Sequence, residues 1–131
     1  MKYLLAIYVD ESSWEGLSPD DMRQTTEEYG AFTQEVTEAG AYLGGEGLQP
    51  VATATTVRVH DGERVVSDGP FAETKEQLGG FYLLDCANLD EAIGWAEKIP
   101  GARSGSVEVR PVMVYDEPET VQHPAAAADR A

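Results

Sequence analysis

The chain opens on a run in which apolar residues do not alternate with polar ones. From Tyr3 to Val9, odd and even positions alike carry Tyr, Leu, Ala, Ile or Val, which predicts a strand from Lys2 to Val9 with both faces covered. The period then changes. Ser18 suits a helix cap, Pro19 the first helical position, and Asp20 and Asp21 the positive end of the dipole. Beyond them Met22, Tyr29 and Val36 recur every seven residues, with Thr25, Phe32 and Ala39 between. This spacing lays one stripe along a helix that Gly40 ends.

The segment from Ala41 to Pro50 contains Gly44, Gly45, Gly47 and Pro50, the composition of a short strand that bends into a loop. Thr53 to His60 and Glu63 to Ser67 are strand-like runs joined by Asp61-Gly62, a pair that readily supplies the two positive φ angles of a tight hairpin. A polar loop follows Asp68-Gly69-Pro70-Phe71 and leads to Gly79 to Cys86, a second strand apolar on both faces. Asn88 can cap a second helix in which Leu89, Ala92, Ile93 and Ala96 share a face, ending before Pro100-Gly101. Ser106 to Tyr115 reads as the last strand. Residues 116–131 are acidic, then Ala-rich with Pro118 and Pro124, and predict a flexible tail after a domain spanning residues 1–115.

The predicted order is strand, helix, strand, hairpin, strand, helix, strand. This is an α+β, ferredoxin-like βαββαβ plan with an inserted β-hairpin. Two helices cover one face of such a sheet, yet the strands expected at its centre are apolar on both. The uncovered face therefore calls for a second copy, and the expected assembly is a homodimer in which two sheets close a dimeric α/β barrel.

Composition narrows the functional classes. A length of 131 residues with 42% apolar content suits one domain. The net charge of −15 repels phosphate backbones and anionic lipid headgroups, so nucleic acid and membrane are not expected partners. The opening apolar run stops at Asp10-Glu11, short of a membrane span, and carries no small-residue cleavage site. A cytoplasmic location is expected. Cys86 is the lone cysteine and reads as a structural thiol, since no cationic neighbour or histidine accompanies it. Gly44-Gly45-Glu46-Gly47 lacks the Lys-Ser/Thr of a phosphate loop, and no metal-ligand spacing occurs. No metal or other cofactor is expected.

The run from Asp68 to Tyr82, Asp-Gly-Pro-Phe-Ala-Glu-Thr-Lys-Glu-Gln-Leu-Gly-Gly-Phe-Tyr, resembles the signature of the DGPF branch of the YCII-related proteins. The opening strand from Lys2 to Tyr8 and the closing Val107 to Val112 are similar to strands of that family, so the resemblance covers residues 2–115. It implies a dimeric ferredoxin-like domain. Some relatives are encoded near extracytoplasmic-function sigma factors, which implies a regulatory protein partner. The wider superfamily also includes lactone isomerases, dehalogenases and monooxygenases, and a His and Asp pair is suspected of catalysis in some YCII-like proteins. Here the two histidines are His60, beside the hairpin turn, and His123, in the tail. No helix supplies the imidazole of that pair.

Two readings of the central motif stand side by side. Asp68, Gly69, Pro70 and Phe71 have the chemistry of a turn. In the functional reading, Asp68, Glu73, Lys75 and Glu76 lie within nine residues, and clustered carboxylates can raise one member's pKa into a base's range. Asp68 or Glu73 is then the candidate general base of a cofactor-independent enzyme. Gly69, Pro70, Phe71, Lys75 and Glu76, with Arg58, Tyr42 and Tyr82, are the candidate ligand contacts. Arg58 and Arg64 can face one another across the hairpin or bind an anion, though a solvated edge strand is the expectation, and His60 can pair with Asp61, though the tight turn is expected to point that carboxylate elsewhere. With no complete catalytic set, the sequence favours a small-molecule-binding or regulatory dimer over an enzyme.

Overall fold

The computed structural model describes residues 1–115; the predicted tail and His123 lie outside the described residues. Among these residues the chain forms β1 (Lys2–Val9), α1 (Pro19–Glu38), β2 (Tyr42–Gly47), β3 (Thr55–His60), β4 (Glu63–Asp68), β5 (Gln77–Asp85), α2 (Leu89–Ala96) and β6 (Ser106–Pro111). Single helical turns lie at Glu11–Trp14, Val51–Thr53 and Pro100–Arg103. Four strands make one antiparallel sheet in the order β2-β5-β1-β6, while β3 and β4 pair only with each other. This is the ferredoxin-like plan with the hairpin inserted between β2 and β5.

Local chemistry explains the boundaries. At the start of α1 the Ser18 side chain accepts from the Asp21 N–H at 3.0 Å and the Asp21 carboxylate accepts from the Ser18 N–H at 3.1 Å, a reciprocal capping box. Asn88 accepts from the Glu91 N–H at 2.9 Å to start α2. The β3–β4 turn has Asp61 at φ 50° and Gly62 at φ 79°, as a two-residue hairpin requires. The last strand stops earlier than its apolar pattern predicts, at Pro111. Pro111 stands opposite Tyr3, and the next N–H, of Val112, still donates to the Lys2 carbonyl at 2.9 Å, so one inter-strand bond lies beyond the strand's end. β5 begins two residues earlier than expected, at Gln77.

The register fixes the two faces of the sheet. Tyr3, Leu5 and Ile7 of β1 stand beside Leu84, Tyr82 and Gly80 of β5, and directly opposed residues project to the same side. This side meets Phe32 and Val36 of α1, Ala92 and Ala96 of α2, and Ile99. Leu5, Leu84, Ile99 and Val36 are fully buried, each contributing about 1.5–3 kcal/mol by leaving water. The other side carries Leu4, Ala6 and Tyr8 opposite Leu83, Phe81 and Leu78, and neither helix covers it. The hairpin is different again: Thr56 is half-buried and every other residue of its strands is exposed, Val59 at 73%.

Candidate functional site

The stripe along α1 divides in two. Phe32 and Val36 enter the core, whereas Met22, Thr25 and Tyr29 line a cleft of about 910 Å³ between the helix and the sheet. The reason lies in the strands facing them. Gly45 stands opposite Tyr82, Gly47 opposite Gly80, and Gly80 opposite Ile7, so all three glycines present bare backbone on the helix side. Where β1 and β5 bring Leu5 and Leu84 the layers close; where β2 and β5 bring glycine they leave space. Trp14 and Leu17, from the segment before α1, and Pro100 and Gly101, after α2, complete the walls.

The polar groups of the cleft are mostly hydroxyls. The Thr33 hydroxyl donates to the Tyr29 carbonyl at 2.9 Å and lies 2.8 Å from the Tyr82 hydroxyl. Because threonine has a single hydroxyl proton and it is directed to that carbonyl, the Tyr82 hydroxyl is the donor to Thr33, and its oxygen keeps lone pairs for another partner. Burial pushes the Tyr82 phenol above its ordinary value. Burial likewise pushes up Tyr29, with the Gly101 backbone partly offsetting. Both phenols are therefore neutral hydrogen-bonding groups at physiological pH. Tyr82 is held edge-on to Phe32 at 5.0 Å and to Tyr42 at 6.2 Å. At the rim Arg103 pairs with Glu28.

Of the residues predicted from sequence, Tyr42 and Tyr82 line this cleft, and Asp68, Glu73, Arg58, Gly69, Pro70, Phe71, Lys75 and Glu76 do not. Asp68 is the exposed last residue of β4, opposite Thr55. Gly69 turns the chain at φ 95°, its N–H donating to the Ala54 carbonyl at 2.7 Å and its carbonyl accepting from Thr56 Oγ1 at 2.9 Å. These contacts give the motif its turn role. Phe71 is 77% exposed, Glu73 and Lys75 are exposed, and Glu76 accepts from Ser106 Oγ at 3.0 Å. Arg58 stands opposite Val65 and Arg64 opposite Val59, so the two arginines occupy opposite faces of the hairpin and do not meet. His60 Nε2 lies 3.3 Å from the Asp61 carboxylate, so the turn does not point that carboxylate away, and both groups are largely in solvent. Cys86 is buried, and burial pushes its thiol up, with Glu91 and Asp85 adding to the rise.

Sequence reasoning missed Trp14, Met22, Tyr29, Thr33, Gly47 and Gly101 as cleft residues. One signal was available: Gly45 and Gly47 in one strand and Gly79-Gly80 in the next, since glycine inside a strand often marks the close approach of a ligand or another backbone. Among the described residues no group of three His, Cys, Asp or Glu is arranged to hold a metal ion, and no helix is long and apolar enough to cross a membrane.

The sequence profile of the YCII-related domain matches residues 1–116. The chain belongs to the YCII-related family. An uncharacterized protein of Rhizobium meliloti (strain 1021) is 43% identical over 117 residues, which cover 88% of this chain and 94% of that protein. The YCII-related match spans the sheet, both helices and the inserted hairpin alike.

Proposed function

We propose that this YCII-related chain binds a small organic molecule in the cleft between α1 and the sheet, as a two-fold pair of chains, with regulation rather than turnover as its output. The observation that carries the reading is the cleft itself. Its volume of about 910 Å³ falls in the range of roughly 300–1,000 Å³ usual for ligand sites, which are mostly apolar with a few placed polar groups. Trp14, Leu17 and Met22 supply the apolar wall and the hydroxyls of Thr33, Tyr29 and Tyr82 the polar points. Neutral phenols orient a ligand but do not abstract a proton near pH 7. The exposed Asp68 and Glu73 lie outside the cleft, so an isomerase, dehalogenase or oxygenase built on either as general base draws no support from the geometry.

The pairing rests on the uncovered sheet face. Leu4, Ala6, Tyr8, Phe81 and Leu83 form its apolar centre, flanked by the Glu108–Arg110 ion pair at 2.8 Å. A stable pair buries about 1,600 Å² in total, an extent suited to a four-stranded face. Membership of the DGPF branch and a readout through a regulatory protein belong to the same proposal, on the strength of the Asp68 to Tyr82 motif, and a cytoplasmic location joins them on the lone Cys86. The test is a metabolite screen by thermal shift on the intact chain and on Tyr82→Phe, with light scattering alongside. Expected are a stabilising ligand weakened in Tyr82→Phe and a mass twice the 14.2 kDa of one chain. A ligand indifferent to Tyr82→Phe would sink the cleft as the site, and a monomer at micromolar concentration would sink the pairing.

A further inference from the structure

The three glycines of the cleft floor are not equivalent. A Cβ at Gly45 would come within 2.8 Å of the Phe81 carbonyl oxygen, and one at Gly80 within 2.9 Å of the Glu46 carbonyl oxygen. The closeness of β2 to β5 therefore requires glycine at both. Gly47 is different: a Cβ there would meet nothing within 4 Å, and its φ is not in the left-handed region. Neither packing nor backbone conformation demands glycine at this position, and a side chain there would enter the cleft that Gly47 lines. Paired across the strands with Gly80 and two residues from Gly45, it leaves a flat patch of peptide backbone on the order of 5 by 7 Å, the scale of one aromatic ring.

The rest of the cleft fits the same shape of molecule. Met22, Trp14 and Leu17 are 59%, 41% and 40% exposed and all line this one cleft, a cluster of large apolar and polarizable side chains suited to covering a ring. The Tyr82 oxygen, having spent its proton on Thr33, presents an acceptor. Arg103 is the one cation among the lining residues and is paired with Glu28, on a chain of net charge −15, so the site offers little to an anion.

We infer that the cleft selects planar ring compounds without negative charge that carry a hydroxyl donor, the ring lying on the bare backbone of Gly45, Gly47 and Gly80 and the hydroxyl donating to Tyr82. This rests on the cleft being the binding site. The probes are 2-naphthol, its non-planar counterpart decahydro-2-naphthol, 2-methoxynaphthalene, which lacks the donor, and the anion 2-naphthoate, each titrated by calorimetry into the full chain, Gly47→Leu and Tyr82→Phe. The expected result is 2-naphthol binding at least about tenfold more tightly than each of the other three. Gly47→Leu should weaken it by at least about tenfold while keeping the wild-type melting curve, and Tyr82→Phe should remove the preference over 2-methoxynaphthalene. Equal affinity for decahydro-2-naphthol, with both lost in Gly47→Leu, would overturn the planar-ring assignment and leave the cleft as the site. Binding of 2-naphthol unchanged in both variants would overturn the cleft itself. No binding of 2-naphthol at about 1 mM would overturn the ring class. If Gly47→Leu fails to fold, the Tyr82→Phe comparison alone decides.

Discussion

The two halves of α1 face the same sheet and meet it differently. Toward its C-terminus Phe32 and Val36 interlock with Leu5, Leu84, Ala92 and Ile99, leaving no buried side-chain nitrogen or oxygen without a partner among the described residues. Toward its N-terminus Met22, Thr25 and Tyr29 look across at Gly45, Gly47 and Gly80. One helical stripe thus builds a core where the strands supply bulk and a cleft where they supply none. A site in this fold can therefore be opened by what the sheet omits, with the closed end carrying the stability that the open end forgoes.

The contrast can be broken first at the closed end. Leu84→Ala removes a fully buried side chain and should cost about 2–5 kcal/mol, enough to lower the melting temperature by many degrees or to unfold the chain; a change below about 1 kcal/mol in a denaturant titration would mean that the core lies elsewhere. Next come the paired glycines. Gly80→Ala forces a Cβ against the Glu46 carbonyl oxygen and should cost about 1–3 kcal/mol. Gly47→Ala, directly opposite, should fall within about 0.5 kcal/mol of wild type. Equal losses at the two positions, read by the same titration, would contradict a floor left bare for a ligand.

A smaller effect appears in alkali. Because burial raises Tyr29 and Tyr82 above the ordinary phenol value, the unfolded chain gives up these protons before the folded one does. Stability is then unaffected below about pH 10 and falls as pH rises above it. In a pH series of melting curves, Tyr29→Phe with Tyr82→Phe should flatten that alkaline fall. The smallest effect belongs to the hairpin, where Val57→Ser or Val59→Ser removes side chains already 58% and 73% exposed and should shift stability by no more than about 0.5 kcal/mol.

Much of this architecture was legible in the sequence because it is written in local chemistry. The Ser18 and Asn88 caps, the Asp61-Gly62 turn and the doubly apolar strands at β1 and β5 each depend on neighbours in the chain, and each lies where its residues predict. The end of β6 was obscured because Val112 and Val114 continue the apolar pattern beyond Pro111, where the strand ends. The candidate site was legible only in Tyr42 and Tyr82. Carboxylates close in sequence at Asp68, Glu73 and Glu76 build no shared site, because Asp68 and Glu73 are exposed and Glu76 accepts from Ser106 Oγ instead. The cleft instead gathers residues from six separated segments around positions with no side chain, and an absence has no periodicity to detect.

The central claim is the position of the site, and amide chemical-shift mapping tests it most directly. The intact chain, labelled with ¹⁵N, is titrated with the strongest stabiliser from the metabolite screen, whatever its ring class. The expected perturbations fall on Tyr29, Thr33, Gly45, Gly47, Gly80 and Tyr82, with the loop from Asp68 to Glu76 and the hairpin around Arg58 unmoved. Perturbations concentrated on Asp68, Glu73 and Arg58, with the glycine floor silent, would contradict the account.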